Sequence, residues 1–361
     1  MHNENMTTKK TVCVITCYKH PDYIRAKTIR AALSARKDIE MIVVKNSNRG
    51  IWRYFEVLAK VMVTRIKHNP DIYILTFRGY EMLPFVRMAT VGKVFIFDEF
   101  INLIEWTVYE QKKIKAGGIA DRILRIGYRF WLKSADAILT DTMSHAEYSS
   151  KLMNIPISKY VPLIVSTDEN TFKAVKAPQS KDTFKVFYYG SMLPLHGVDV
   201  VIDAMHLLKN KDIHLTLIGG DDHTKETINS AINAGAKIDY KKWVNFEELP
   251  KYMQESDVCL AGPFGGTFQA QFVITGKAYQ FLQMKRPIII GENKESHIFA
   301  DKKNALVVKQ ADVKALTDAI NWAYDNRGAL SSIGEAGYKL YQDKLSNKAL
   351  AVELDELLSR F

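Results

Sequence analysis

The sequence predicts an α/β protein built from two doubly wound parallel sheets, one in each half of the chain. Short apolar runs rich in β-branched residues alternate with helical segments, as in parallel sheets that are covered by helices on both faces. A polar segment at residues 173–184 interrupts the alternation and is the best candidate for a linker. The third observation is a glycine-bearing loop between a strand and a helix within residues 257–292.

Composition places the chain among ordinary globular proteins. Its 361 residues are 47% hydrophobic and 25% charged, which suffices for two domain cores and excludes disordered and fibrous classes. Three cysteines, Cys13, Cys17 and Cys259, are too few for a disulfide framework, so we expect reduced thiols and a cytoplasmic protein. The N-terminal stretch has no adequate apolar core, and we expect neither a signal peptide nor a spanning helix.

The positive charge is concentrated in the first half. Of the formal net charge of +10, residues 1–172 carry +9, from 26 Lys and Arg against 17 Asp and Glu. Such a one-sided field favours an anionic partner, such as a nucleic acid, an anionic membrane face or a phosphate-bearing substrate, although a solvated basic surface remains an alternative.

Five apolar runs and two helical segments define the first half. The predicted strands are residues 12–18, 40–45, 71–77, 93–99 and 136–142, and residues 159–172 end this half. A helix at residues 22–36 is predicted to expose Arg25 and Arg30.

Residues 50–68 form an amphipathic helix with an unusually aromatic stripe. The stripe contains Ile51, Trp52, Phe55, Leu58, Ala59, Met62 and Ile66, and basic residues surround it. This pattern is compatible with a helix that lies on a membrane surface, and equally with a helix that covers a sheet.

Asp98 and Glu99 come at the carboxyl end of a predicted strand. Open α/β sheets bind ligands at that edge, which makes both carboxylates candidates for a site. The alternative is that they cap a helix or lie in a solvated turn.

The second half begins a new strand-and-helix series after the linker. Predicted strands are residues 186–190, 213–222, 257–261 and 287–290, with helices at 198–209, 224–234 and 250–255, and helical structure throughout residues 311–361.

Within residues 257–292, the loop glycines Gly265 and Gly266 allow a ligand to approach the backbone closely, and the next helix presents free N–H groups. Lys277 and Gln280 are three residues apart on that helix and therefore share a face. This arrangement suits an anion such as a diphosphate, although an ordinary βαβ connection with a surface lysine would look the same.

Four segments in the second half resemble glycosyltransferase family 4, whose members have the GT-B fold. They are GSMLPLHGVDVVIDA (190–204), LIGGDD (217–222), WVNFEELPKYMQESDVCLAG (243–262) and GKAYQFLQMKRPIII (276–290), in the expected order. The resemblance covers most of residues 183–325 and is looser in the first half. It implies two Rossmann-like domains facing across a cleft, and retaining transfer from a nucleotide-diphosphate sugar.

The resemblance also implies roles for individual residues. Lys277 and His196 would neutralise the leaving diphosphate, and Asp98 would position the acceptor, with Glu99 and Tyr18 also on the acceptor side. The residues implied in donor binding are Gly190, Ser191, Gly219, Gly220, Trp243, Val244, Phe246, Gly265, Gly266, Thr267 and Gln280.

Several positions depart from the family pattern. Ser191 and Met192 occupy the positions where relatives usually have an arginine. Gln269 and Phe272 lie where the nearest subgroup tends to have basic residues. Gln280 lies where a glutamate is common. The chain has no Asp-x-Asp triplet of the kind typical of GT-A enzymes, so we expect no metal and no other cofactor.

The resulting prediction has three domain segments: residues 1–172 with helix 346–361 packing back on them, a linker at 173–184, and residues 185–345. We expect a cytoplasmic glycosyltransferase that acts on a glycan or lipid-linked acceptor in surface polysaccharide or glycoconjugate synthesis. Peripheral association with an anionic inner membrane face is one alternative that the basic first half leaves open, and we expect no nucleic-acid partner. The alternatives are a GT-B type nucleotide-sugar epimerase and an inactive nucleotide-sugar-binding protein.

Overall fold

A computed structural model describes residues 9–176 and 183–361, so residues 177–182 of the predicted linker lie outside the described part. The strands are β1 Lys10–Thr16, β2 Ile39–Lys45, β3 Ile72–Leu75, β4 Val94–Asp98, β5 Ala137–Thr140, β6 Tyr160–Pro162, β7 Phe184–Gly190, β8 Ile213–Gly219, β9 Ile238–Lys241, β10 Val258–Leu260, β11 Ile288–Gly291 and β12 Leu306–Val308. The strands form two six-stranded sheets, and all the described strand pairs are parallel. The predicted α/β class is confirmed.

The helices separate successive strands, as parallel pairing requires. They are α1 Ile24–Ser34, α2 Trp52–Lys67, α3 Leu83–Ala89, α4 Ile119–Lys133, α5 Met143–Met153, α6 Val198–Leu207, α7 Asp222–Asn233, α8 Leu249–Gln254, α9 Gly276–Gln283, α10 Val313–Asp325, α11 Arg327–Lys344 and α12 Asn347–Leu358. Sequence reasoning did not identify α3, α4, α5 or the edge strands β9 and β12.

The first sheet has the order β2-β1-β3-β4-β5-β6 and an apolar core on each face. Side chains alternate across β1, so Val12 and Val14 belong to one core while Cys13 and Ile15 belong to the other. Helices α2, α3, α4 and α5 cover the face that carries Cys13 and Ile15.

Helix α12 covers the opposite face of the first sheet. Leu350, Leu354, Leu357 and Leu358 are buried in the same cluster as Val12 and Val14.

The chain forms two compact units, one of residues up to Val165 with Leu350–Phe361, the other of Ser166–Ala349. The first unit ends a few residues before the predicted limit at 172, because Phe172 is buried and its ring packs 5.2 Å from that of Phe246.

The second sheet has the order β12-β11-β10-β7-β8-β9. Successive strands are added on one side of β7 up to β9 and on its other side from β10 onward. Open α/β sheets bind ligands beyond the carboxyl ends of the strands at such a reversal. Tyr188, Leu217, Leu260 and Ile289 contribute to the core beneath this edge. No helix in the described residues is long and apolar enough to cross a membrane.

Candidate functional site

The candidate site lies where the second sheet reverses its strand order. Strand β7 ends at Gly190 and β10 ends at Leu260, and these two strands are neighbours. The loop that follows β10 leads into α9 at Gly276, while a turn at Pro194–His196 follows β7. The two loops that sequence reasoning singled out therefore leave adjacent strands at the same edge.

Glycines allow these two loops to touch through their backbones. The amide of Gly265 donates to the carbonyl of Leu195 at 3.0 Å. A Cβ atom on Gly265 would overlap the carbonyl oxygen of Pro194, and one on Gly197 would overlap the backbone of Phe264 and Gly265. Gly197 also has φ +64°, a conformation that side chains disfavour. The contact fixes His196 close to the start of α9.

Lys277 and His196 converge beneath Gly190. A Cβ atom built on Gly190 would lie 3.5 Å from both the Lys277 Nζ and the His196 Nδ1. Lys277 is only 5% exposed, and among the described residues burial is the cause that acts on its ammonium, with no opposing charge or hydrogen bond. Its nearest stabilising contact is the ring of Tyr188, whose centre is 5.1 Å away.

Both basic groups have lowered pKa values. Burial lowers the pKa of Lys277 from 10.5 to about 7, because a buried ammonium loses its hydration. Burial, and secondarily the charge of Lys277, lower the pKa of His196 well below 6.5. The Nδ1 of His196 is buried and has no hydrogen-bond partner. An anion bound next to Gly190, on the side of these two groups, would supply the missing partner for both.

An open cavity of about 440 Å³ adjoins this basic pair. Seven residues predicted to bind the donor line it: Gly190, Ser191, Gly219, Gly220, Trp243, Val244 and Phe246. Tyr189, Ile218, Lys242 and Leu249 complete the lining. Trp243 is 73% exposed, so its indole face is available for stacking on a planar ring.

Close backbone packing shapes the floor of this cavity. A Cβ atom on Gly219 would overlap the carbonyl oxygen of Gly190, because β7 and β8 pair at these two residues. Gly219 and Gly220 have φ +109° and +92°, which only glycine adopts readily. The predicted LIGGDD motif therefore has a steric basis at both glycines.

Gln280 lies one helical turn after Lys277 and is buried. Its Oε1 accepts a hydrogen bond from the hydroxyl of Tyr189, a residue that also lines the cavity. The amide is therefore in contact with a residue of the cavity wall.

The loop after β10 presents a mixture of exposed and buried side chains. Gly266 is exposed, Thr267 is half-buried and Phe272 is buried. Gln269 is 2% exposed, and its Oε1 has no hydrogen-bond partner. The amide of Gln269 is therefore another buried polar group that a ligand could satisfy, and sequence reasoning identified it only as a departure from the family pattern.

The structure argues against a role for Asp98 in acceptor binding. Asp98 is fully buried and its Oδ1 accepts from the Nη2 of Arg25 at 3.0 Å, while its Oδ2 accepts from the amide of Phe77 at 3.2 Å. The prediction that Arg25 is exposed is wrong, because this ion pair and the carbonyls of Leu163 and Ile164 bury its guanidinium. The pair joins α1 to the sheet.

Glu99 is also buried among internal partners. Its carboxylate accepts hydrogen bonds from Tyr128 at 2.7 Å, Ser149 at 2.6 Å and Asn102 at 2.8 Å. Burial raises its pKa, with these hydrogen bonds opposing the shift. Glu99 therefore joins α4 and α5 to the sheet, and this geometry does not support its predicted place on the acceptor side.

Tyr18 lies in an aromatic cluster where the first sheet reverses strand order, between β1 and β3. Its ring packs 5.9 Å from His20 and 6.1 Å from Tyr23. The guanidinium of Arg78 lies 5.8 Å from the Tyr18 ring and 5.2 Å from the Trp106 ring. Sequence reasoning missed Arg78, although its position just after a predicted strand could have identified it.

Arg78 has two properties typical of a binding residue. It has φ +67°, an uncommon conformation for a residue with a side chain, and it has no ion-pair partner in the part of the chain that the structure describes. The cluster therefore offers a cation surrounded by aromatic faces at the carboxyl edge of the first sheet.

Acidic groups of the second unit have local structural roles. Asp221 caps α7 by accepting from the Thr224 amide at 2.8 Å, and Asp222 pairs with Lys242 at 2.6 Å. Among residues 9–176 and 183–361, no group of three or more His, Cys, Asp or Glu side chains could hold a metal ion.

A family of known proteins matches the part of the chain that contains the candidate site. Residues 183–326 match the family described as glycosyl transferases group 1. This match contains both the basic pair and the cavity. The predicted resemblance to a glycosyltransferase family is confirmed over these residues at the level of group 1 glycosyl transferases. No curated protein sequence matches the chain significantly.

Solved structures show the fold. Anabaena HepE in complex with UDP-glucose is 10% identical with a TM-score of 0.72, over 97% of this chain and 100% of that chain. Sucrose-phosphate synthase from Thermosynechococcus elongatus is 14% identical with a TM-score of 0.71, over 98% and 99%. A glycosyltransferase from Rickettsia africae is 14% identical with a TM-score of 0.67, over 97% of each chain. The predicted GT-B fold, with two Rossmann-like domains, is confirmed.

Proposed function

We propose that this protein is a glycosyltransferase whose second unit binds a nucleotide-diphosphate sugar. The observation that carries the proposal is the convergence of Lys277 and His196, both without an anionic partner, beneath Gly190 at the rim of the cavity. The diphosphate would lie next to Gly190, on the side of Lys277 and His196, and the nucleoside would lie in the cavity against Trp243.

Lys277 would act on the charge that develops as the donor bond breaks. In retaining transfer the bond between the anomeric carbon and the diphosphate oxygen breaks, and the acceptor oxygen bonds to that carbon on the same face. The acceptor proton passes to the leaving phosphate oxygen, so the step balances without a protein base. A buried ammonium stabilises the leaving diphosphate, and it makes a metal ion unnecessary in this proposal.

Gln280 and the loop residues would determine which donor is bound. The Gln280 amide would contact the ribose hydroxyls, while Gly265, Gly266 and Thr267 would face the sugar. HepE has been solved with UDP-glucose, so uridine diphosphate sugars are the first donors to test.

The acceptor would bind at the aromatic cluster of the first unit, where Tyr18 and Arg78 lie. Aromatic faces pack well on sugar rings, and the unpaired guanidinium suits an acceptor that carries a phosphate or carboxylate. A glycan or lipid-linked acceptor of surface polysaccharide or glycoconjugate synthesis would fit this site. The enzyme would then work in the cytoplasm at the inner membrane face.

The test combines nucleotide binding with donor consumption. A thermal-shift series with UDP, GDP, ADP and CMP and their common sugars should identify one nucleotide that raises the melting temperature. Lys277→Ala should abolish consumption of the matching donor and leave the circular dichroism spectrum unchanged, whereas Lys251→Ala, on the exposed face of α8, should retain it. Near-wild-type turnover of Lys277→Ala would refute the proposal.

The same assay separates the two alternatives. Conversion of the nucleotide sugar into an isomer without any acceptor would identify an epimerase. Tight nucleotide binding with no turnover on any acceptor would identify an inactive binding protein, which the unusual Gln269, Phe272 and Gln280 would then explain.

A further inference from the structure

Helix α2 presents its aromatic stripe to solvent. It packs on the first sheet through Val57, Val61 and Thr64, which are the fully buried positions. Trp52, Phe55, Met62 and Ile66 point away from the sheet and are 44% to 79% exposed. The alternative in which the stripe covers the sheet therefore does not explain why these four side chains are apolar.

Helix α4 has a second exposed apolar stripe, which sequence reasoning did not identify. Asp121, Tyr128 and Leu132 face inward. Along the outer face run Ile119, Ile123, Ile126 and Phe130, spaced at helical intervals and 65% to 79% exposed. Four large apolar side chains in contact with water on one helix are unusual for a protein surface.

The two stripes belong to one layer of the first unit. Residues of α2, α3 and α4 all pack into the same core on one face of the sheet. Helix α3, which contacts both of the others, adds the exposed side chains of Phe85 and Met88. We call the outward side of these three helices the outer face, defined by the exposed apolar residues just named.

Basic residues surround the outer face, and its carboxylates are neutralised. Helix α2 has four Lys and Arg against Glu56, and α4 has four against Asp121. Glu56 is paired with Lys60 at 2.6 Å, and Asp121 is turned inward and paired with Arg125 at 2.6 Å. Arg122 and Lys133 remain exposed beside the isoleucines of α4, and Lys112, Lys113 and Lys115 precede that helix.

We propose that the outer face docks onto an anionic phospholipid bilayer. Large apolar side chains interleaved with lysine and arginine are what an interfacial helix requires, because the former enter the acyl boundary while the latter contact lipid phosphates. A second copy of the chain is the less suitable occupant, since it would bring the same excess of positive charge against itself.

This inference rests on the proposed function in one respect, the work at a membrane face, and it names the outer face as the surface that contacts the membrane. It requires no sugar transfer, so the docking surface and the transferase assignment can fail independently. A lipid-linked acceptor would be held in the same bilayer that the outer face contacts.

Vesicle co-sedimentation of the full chain tests the proposal. Wild-type protein should sediment with vesicles of phosphatidylcholine and phosphatidylglycerol, and far less with phosphatidylcholine alone. Added salt should weaken the binding because it screens the charges. The triple variant Ile123→Ser, Ile126→Ser, Phe130→Ser should reduce the bound fraction about tenfold, given the apolar area it removes from the interface. All three positions are exposed, so its melting temperature should remain close to that of the wild type.

Two controls sharpen the result. Leu207→Ser removes an exposed leucine from the second unit and should bind vesicles as the wild type does. Binding to vesicles should shift part of the tryptophan emission of the wild type to shorter wavelength. The Trp52→Phe variant should lack this part of the change. Wild-type protein that fails to sediment with anionic vesicles would overturn the proposal, as would a triple variant that binds equally well. Sedimentation velocity showing that these substitutions dissociate a dimer would assign the outer face to a second copy instead.

Discussion

The ammonium of Lys277 lies 5.1 Å from the centre of the Tyr188 ring, in a site that gives it no carboxylate. An aromatic face offers a cation much less than an ion pair or water would, so the charged form is poorly stabilised until an anion arrives. This relationship makes both donor binding and folding stability sensitive to pH.

Donor binding should take up protons above neutral pH. The pKa of Lys277 is about 7 in the free protein, and a bound diphosphate would raise it. Binding at pH 8 should therefore take up close to one proton, and affinity should fall about tenfold per pH unit between pH 7 and the raised pKa. Calorimetry with UDP-glucose in buffers of different ionisation enthalpy measures the uptake. Binding without proton exchange at pH 8 would mean that Lys277 does not meet the diphosphate.

Replacing Lys277 by methionine should stabilise the free protein, more at pH 6 than at pH 9. The folded-state pKa of about 7 is below the ordinary 10.5, so between these values the unfolded chain holds the extra proton and wild-type stability rises with pH. The variant lacks this group, and its advantage should shrink by about 2 to 3 kcal/mol over that interval. Urea unfolding at both pH values tests the sign. An equal advantage at the two pH values would contradict the lowered pKa.

Gly265→Ala should disrupt the candidate site. The added methyl group would overlap the carbonyl oxygen of Pro194, so the loop after β10 must move away from the turn that carries His196. We expect a lower melting temperature and loss of nucleotide binding. Gly328→Ala is the matched control, because a Cβ atom there has no neighbour within 4 Å, and it should behave as the wild type.

Gln280→Leu should remove discrimination at the ribose. If the amide contacts ribose hydroxyls, wild-type protein should bind UDP about fivefold to tenfold more tightly than its 2′,3′-dideoxy analogue, in line with one hydrogen bond. The variant should bind both equally. Gln283→Leu removes another buried amide of α9, one that bonds to Gln342 instead, and should keep the preference. A preference that survives in Gln280→Leu would place the ribose elsewhere.

Asp98→Asn should reduce stability and leave nucleotide binding unchanged. The substitution removes the charge that balances the fully buried Arg25, which costs roughly 3 to 5 kcal/mol when one partner of a buried pair is lost. Urea unfolding with a parallel thermal-shift assay on the bound nucleotide measures both effects. A variant that is as stable as the wild type and binds the donor, but has lost transfer, would show that Asp98 acts on the acceptor.

The sequence was most informative where structure depends on short-range pattern. The glycine loops, the helical spacing of Lys277 and Gln280 and most of the alternating strands and helices depend on local pattern and lie where they were expected, whereas α3, α4, α5, β9 and β12 were missed. The Arg25–Asp98 pair joins residues 73 positions apart, so no local pattern could show that Arg25 is buried. Periodicity revealed the stripe of α2 but not its direction, since Val57 and Val61 form an equally good inward face.

Helix α12 has a consequence for how the chain acquires its structure during synthesis. The leucines that close one face of the first sheet, Leu350 to Leu358, follow the whole of the second unit in the chain. A ribosome must therefore produce some 180 further residues after Val165 before this face can be fully covered. Until then α1 covers Val12, Val14 and Ile74 through Ile29 and Leu33 without the leucines of α12, so the nascent first unit exposes more apolar surface than the finished one.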